Sequence, residues 1–142
     1  MGKIVEELFA DALDAVETVF SPPLSAAGFE LRASSAKDTV ASALFSDSKC
    51  GVLIGVDFHD MYIYIYFVHE MASLESAQVL AGGIALPEVI DAANKLTKRQ
   101  DLKILRRSTN PYDAEKLSRR LREVQPILCD YLEPGRGLIA TT

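Results

Sequence analysis

Residues 52–68 read VLIGVDFHDMYIYIYFV, and this stretch decides the fold. Val52, Ile54 and Val56 fall at every second position before a short polar break. Ile63, Ile65 and Phe67 do the same after it, with Tyr62, Tyr64 and Tyr66 interleaved. A period of two in β-branched and aromatic residues marks strands with one buried face. Asp57, Phe58, His59 and Asp60 supply the turn chemistry, so the stretch reads as a β-hairpin with strands over 50–58 and 61–68.

On the N-terminal side, Phe29, Leu31 and Ala33 open a first strand, residues 34–38 turn the chain, and residues 39–45 form a second strand. Asp47-Ser48-Lys49 makes the next turn. Four consecutive strands between about 28 and 69 fold most simply as an antiparallel meander. Before them, Ile4, Val5, Leu8, Phe9, Ala12, Leu13, Val16, Val19 and Phe20 paint one apolar stripe on a helix whose other face is acidic. Ser21-Pro22-Pro23 interrupts that helix, and a short second one over 22–27 stops at Gly28.

After the strands, residues 70–83 read either as a helix or as a connection. Pro87 opens a helix with Val89, Ile90, Ala93 and Leu96 on one face and Lys95, Lys98 and Arg99 toward its C-terminus. The last helix takes Asn110 as N-cap, Pro111 at N1, and Asp113 and Glu115 in its first turn. Leu117, Leu121, Val124, Leu128 and Tyr131 form its stripe, and Pro126 kinks or ends it. Gly135 and Gly137 follow its C-terminus, and residues 138–142 form a frayed tail. The expectation is a single α+β domain over 1–142, a four-stranded antiparallel meander flanked by an N-terminal helix and two C-terminal helices. Leu8, Val16, Ile54, Val56, Ile63, Ile65, Phe67, Leu117 and Leu121 are its expected core.

The chain has 142 residues, 49% apolar and 25% charged. That length buries roughly 68–70% of the unfolded surface, enough for a core without staples. No apolar run reaches the ~18–20 residues of a membrane span, and acids interrupt the apolar N-terminus, unlike a secretory signal. The expected location is the cytoplasm. Its reducing conditions make Cys50 and Cys129 small core residues rather than a disulfide. Charge is uneven: residues 1–93 carry a net −10 and residues 94–142 a net +5. Such polarity steers a charged partner or marks two solvated faces.

No catalytic constellation is legible. The only histidines are His59, in the turn, and His69, at a strand end, and no serine lies in G-x-S-x-G. Neither cysteine has the close Cys or His neighbour that zinc requires. Phosphate-cradling glycine motifs are absent from the sequence. The expectation is no enzymatic activity, no metal and no cofactor. Arg106-Arg107 and Arg119-Arg120-Arg122 invite a nucleic-acid reading, but the net charge is −5 and the aromatics lie on the strands, away from them. Nucleic acid and membrane are therefore not expected partners. The sharper signal is the Tyr62, Tyr64 and Tyr66 ladder. With Ile63, Ile65 and Phe67 packed under the helices, the tyrosines share the opposite face and suit protein recognition, unless they merely cover the sheet. Asp57, Asp60 and Glu70 flank the ladder and steer a basic partner.

The acidic first helix, the SPPLSAAGFELR entry at 21–32 and the V-x-I-x-V-D-F-H-D-M-Y-I-Y-I-Y hairpin, in that order over residues 3–133, resemble small bacterial immunity proteins of polymorphic and contact-dependent toxin systems. The resemblance implies a protein that binds and neutralises a cognate toxin, often a nuclease with a basic cleft. The basic C-terminal third departs from a uniformly acidic pattern. A second candidate class is the acidic, dimeric secretion chaperone that binds an effector segment. Four consecutive strands depart from its alternation of helix and strand, and a homodimer belongs to that reading.

Overall fold

A computed structural model describes residues 5–37, 39–70, 72–74 and 83–141. The chain is α+β, with five strands and five helices among those residues: α1 (Val5–Ala26), β1 (Glu30–Lys37), β2 (Val40–Ser46), β3 (Cys50–Asp57), β4 (Tyr62–His69), β5 (Ile84–Ala85), α2 (Leu86–Ala93), α3 (Lys98–Leu105), α4 (Ala114–Asp130) and α5 (Leu132–Ala140). The sheet runs β1-β2-β3-β4-β5 in sequence order with every neighbour antiparallel. The helices cover one face. Phe9, Ala12, Val16, Phe20 and Leu24 of α1 and Leu117, Leu121, Val124 and Leu128 of α4 meet Phe45, Val52, Ile54, Val56, Ile63, Ile65 and Phe67 in one buried cluster. Leu8, expected in the core, is only partly buried at its margin.

Several boundaries differ from the sequence reading. Pro22 and Pro23 lie inside α1, which continues to Ala26 instead of breaking at Ser21. Carrying the helix across them buries Phe20, Leu24 and Phe29. At roughly 1.5–3 kcal/mol per side chain, that burial offsets the ~3 kcal/mol a helix-interior proline costs. The helix then ends as expected at Gly28, with φ 94°, where Phe29 N–H donates to the Leu24 carbonyl and Gly28 N–H to that of Ser25, the two bonds of a Schellman cap. Residues 34–37 belong to β1 rather than to a turn, because their backbones pair with residues 40–43.

C-terminal to the hairpin the described residues form four helices and a fifth strand, where two helices were expected. Asn94, left-handed at φ 49°, ends α2, so Leu96 stands wholly exposed instead of on its apolar face, and Lys98 and Arg99 open α3. Asp113, not Asn110, caps α4 by accepting the Lys116 N–H, while Asn110 accepts the Tyr112 N–H one turn earlier. The helix runs through Pro126 to Asp130. Gly135 and Gly137 lie within α5, not beyond a terminus, and Ile139 is buried where a frayed tail was expected. The expected ambiguity over 70–83 falls largely outside the described residues.

Candidate functional site

The site is built from the β3–β4 hairpin. In its turn, Asp57 Oδ1 accepts the amides of His59 and Asp60, each at 2.9 Å, and Met61 adopts φ 56°. Phe58 N–H donates to the Thr39 carbonyl, and its ring tucks inward between Phe9 and Tyr112, with centroids 4.6 and 5.2 Å away. A residue read as turn polarity is thus an anchor, buried to 2% exposure. It leaves His59, Asp60 and Met61 displayed to solvent.

Tyr62, Tyr64 and Tyr66 follow on the sheet face opposite α1–α5. Successive ring centroids lie 6.0 and 5.8 Å apart, within the span of favourable tilted and edge contacts. Tyr62 is 38% exposed, and the other two are half-buried. The depth of Tyr64 has a specific cause: Gly55 stands opposite it in the register, and the phenol lies 2.1 Å from where a Cβ would be. The same face holds Leu44, Leu53 and Val68, all buried, with Ala72 and Leu74 packed beside them and beside Tyr64 and Tyr66. Burial pushes the Tyr62 and Tyr64 phenols above the ordinary value, and neighbouring tyrosines and Asp57 add to the shift. Both therefore stay protonated donors at neutral pH.

Five of the six residues singled out from the sequence come together: the three tyrosines with Asp57 and Asp60 at the head of the ladder. Glu70 does not join them. It follows the far end of β4, roughly 24 Å away at ~3.4 Å per residue, beside a hollow lined by Arg32, Ser46 and Asp47. Beside the ladder opens a cleft of about 280 Å³ that the sequence reading missed. The tyrosines and Ile63 and Ile65 form one wall, and Leu86, Pro87, Leu105 and Arg106 the other. The only sequence signal for it was the Arg106-Arg107 pair, read as a solvated face.

Other chemistry-bearing groups are engaged structurally. Arg120 binds Glu123 at 2.9 Å and the carbonyls of Ile104 and Arg107. Arg136 binds Asp47 at 2.6 Å and Glu133, with Phe29 under its guanidinium. Cys50 and Cys129 are free thiols, and burial pushes Cys50 up to about 11. His59 and Asp60 approach only to 4.0 Å, both well exposed. Among the described residues no three His, Cys, Asp or Glu side chains form a metal-binding group, and no helix is long and apolar enough to cross a membrane. No family model matches the sequence, and neither a curated protein nor a solved structure matches the chain.

Proposed function

We propose that this chain is a non-enzymatic protein-binding module of the cytoplasm and, within that class, an immunity protein that neutralises a toxin. The observation that carries the reading is the tyrosine ladder: three phenols in ring contact, the first well exposed, set at the rim of an apolar cleft with Asp57 and Asp60 at its head. Rigid aromatic anchors beside a desolvated hollow are where interface energy concentrates. The acids give a basic toxin domain its approach, which raises the association rate more than the affinity. The narrower choice of a toxin inhibitor rests on the resemblance in size, acidity and element order.

The test is kinetic, on a partner captured from cells that make the protein. Replacing Asp57 and Asp60 by Ala slows association and flattens its dependence on salt, because a screened charge pair acts within about 8 Å at physiological ionic strength. Tyr62→Ala and Tyr66→Ala speed dissociation, each by an amount equivalent to about 2 kcal/mol if they are central anchors. Glu70→Ala has little effect, since it lies beyond that screening length from the turn. Unchanged kinetics in the tyrosine variants would move the binding surface elsewhere.

A further inference from the structure

The β4 strand is paired along its whole length on one side only. Toward β3 it pairs from Asp57↔Tyr62 to Cys50↔His69, whereas β5 covers Tyr66 and Phe67 alone. Residues 62–65 therefore have no strand beside them among the described residues. Their edge is the wall of the cleft that Leu86, Leu105 and Arg106 face. At its end the Met61 carbonyl accepts the Thr109 amide at 2.9 Å. Because the Met61–Tyr62 peptide is trans and planar, the Tyr62 N–H points the other way, toward β3. Alternation then turns the N–H and C=O of Ile63 and Ile65 into the cleft. These are obligatory hydrogen-bonding groups, aligned to receive an extended chain.

We propose that this slot takes a short extended segment of the partner protein, added beside β4 in line with β5, with an acidic side chain against Arg106. The inference rests on the protein-binding reading and names its mode, main-chain pairing at a sheet edge. Alternate side chains of such a segment would meet Ile63, Ile65, Leu86 and Leu105 on one side and Tyr62 and Tyr64 on the other, so the segment is apolar at those positions. Among the described residues lining the cleft Arg106 is the one that carries a charge, and a carboxylate complements it. A second copy of this chain does not fit through its own β4 edge. The slot between β5 and the Thr109–Met61 bond is four residues of β4, roughly 13 Å at ~3.3 Å per residue. A copy would bring an eight-residue β4 carrying the same β5 and the same Thr109 segment.

The test selects random displayed peptides on the full chain, then measures the enriched peptides by titration and by amide hydrogen exchange. The expected peptides alternate apolar residues around an acid and slow exchange at Ile63 and Ile65. N-methylation of alternate peptide amides, or Arg106→Glu in the protein, weakens them about tenfold, the scale of one charge-assisted or backbone hydrogen bond. Three results overturn the proposal. One is no enrichment. Another is peptides that leave Ile63 and Ile65 exchange unchanged and ignore Arg106→Glu. The third is protection of those amides that rises with protein concentration alone, which assigns the edge to a second copy. If a captured partner depends on Tyr62 and Tyr66 yet leaves Ile63 and Ile65 unprotected, this mode fails while the protein-binding reading stands. Independence from the tyrosines moves the binding surface off the ladder, and failure to capture any protein partner fails the protein-binding reading instead.

Discussion

Gly55 and Tyr64 act as one unit. The ring occupies the space over Gly55 because its partner across the strand has no side chain, and this burial contributes to the raised phenol of Tyr64. Gly55→Ala is therefore expected to lift the ring rather than unfold the chain, since the contact is with the far end of a side chain free to rotate away. The cost is about 1 kcal/mol, at the low end of overpacking. Spectrophotometric titration reads the outcome: exposure relieves the desolvation that disfavours the phenolate, so the Tyr64 value falls toward ~10. An unaltered titration would mean that something other than Gly55 holds the ring down. The alternating tyrosines were legible in the sequence, but their depth was not. It depends on which residue stands across the strand, and that follows from register.

Elements long enough to repeat their pattern were legible, and those too short to repeat it were not. The β3–β4 hairpin and the α1 and α4 stripes repeat their pattern several times, so pairing and burial follow it. β5 is two residues long and shows no period at all. The prolines at 22 and 23 and the glycines at 135 and 137 carry strong local breaking signals that tertiary packing overrides. Gly135 shows how: a Cβ there would lie 2.4 Å from the Phe67 ring, so the glycine lets α5 seat against β4. Gly135→Ala should destabilise the fold by about 1–3 kcal/mol, the usual cost of overpacking. Urea denaturation measures it, and Phe67→Leu in the same chain should recover part of the loss. A neutral Gly135→Ala would show that α5 is free to shift.

Across the whole molecule, α5 is tied back to the β2–β3 turn by Asp47. Its carboxylate accepts the Lys49 and Cys50 amides at 2.7 and 2.8 Å and the Arg136 guanidinium at 2.6 Å. Burial alone would raise its pKa, but these bonds outweigh it and hold the group below the ordinary carboxylate value. A group lowered in the folded state stabilises above its unfolded value, near ~3.9, and that contribution is lost as pH falls through the folded one. Stability should therefore decline on acidification below about pH 4. Asp47→Asn, which keeps an acceptor for the turn amides, should lower stability at pH 7 and flatten that acid limb. An acid limb unchanged by the substitution would assign it to other carboxylates. The charge asymmetry legible in the sequence resolves differently along the chain. Several cations of the basic third, such as Arg120 and Arg136, serve internal bonds, while Asp57 and Asp60 remain at the head of the tyrosine face. That face is the centre of the account, and site-specific photo-crosslinking in cells that make the protein tests it most directly. A crosslinker in place of Tyr62 should give one dominant protein adduct, and one in place of exposed Leu31 on β1 should not. Equal adducts from both positions, or none from position 62, would contradict it.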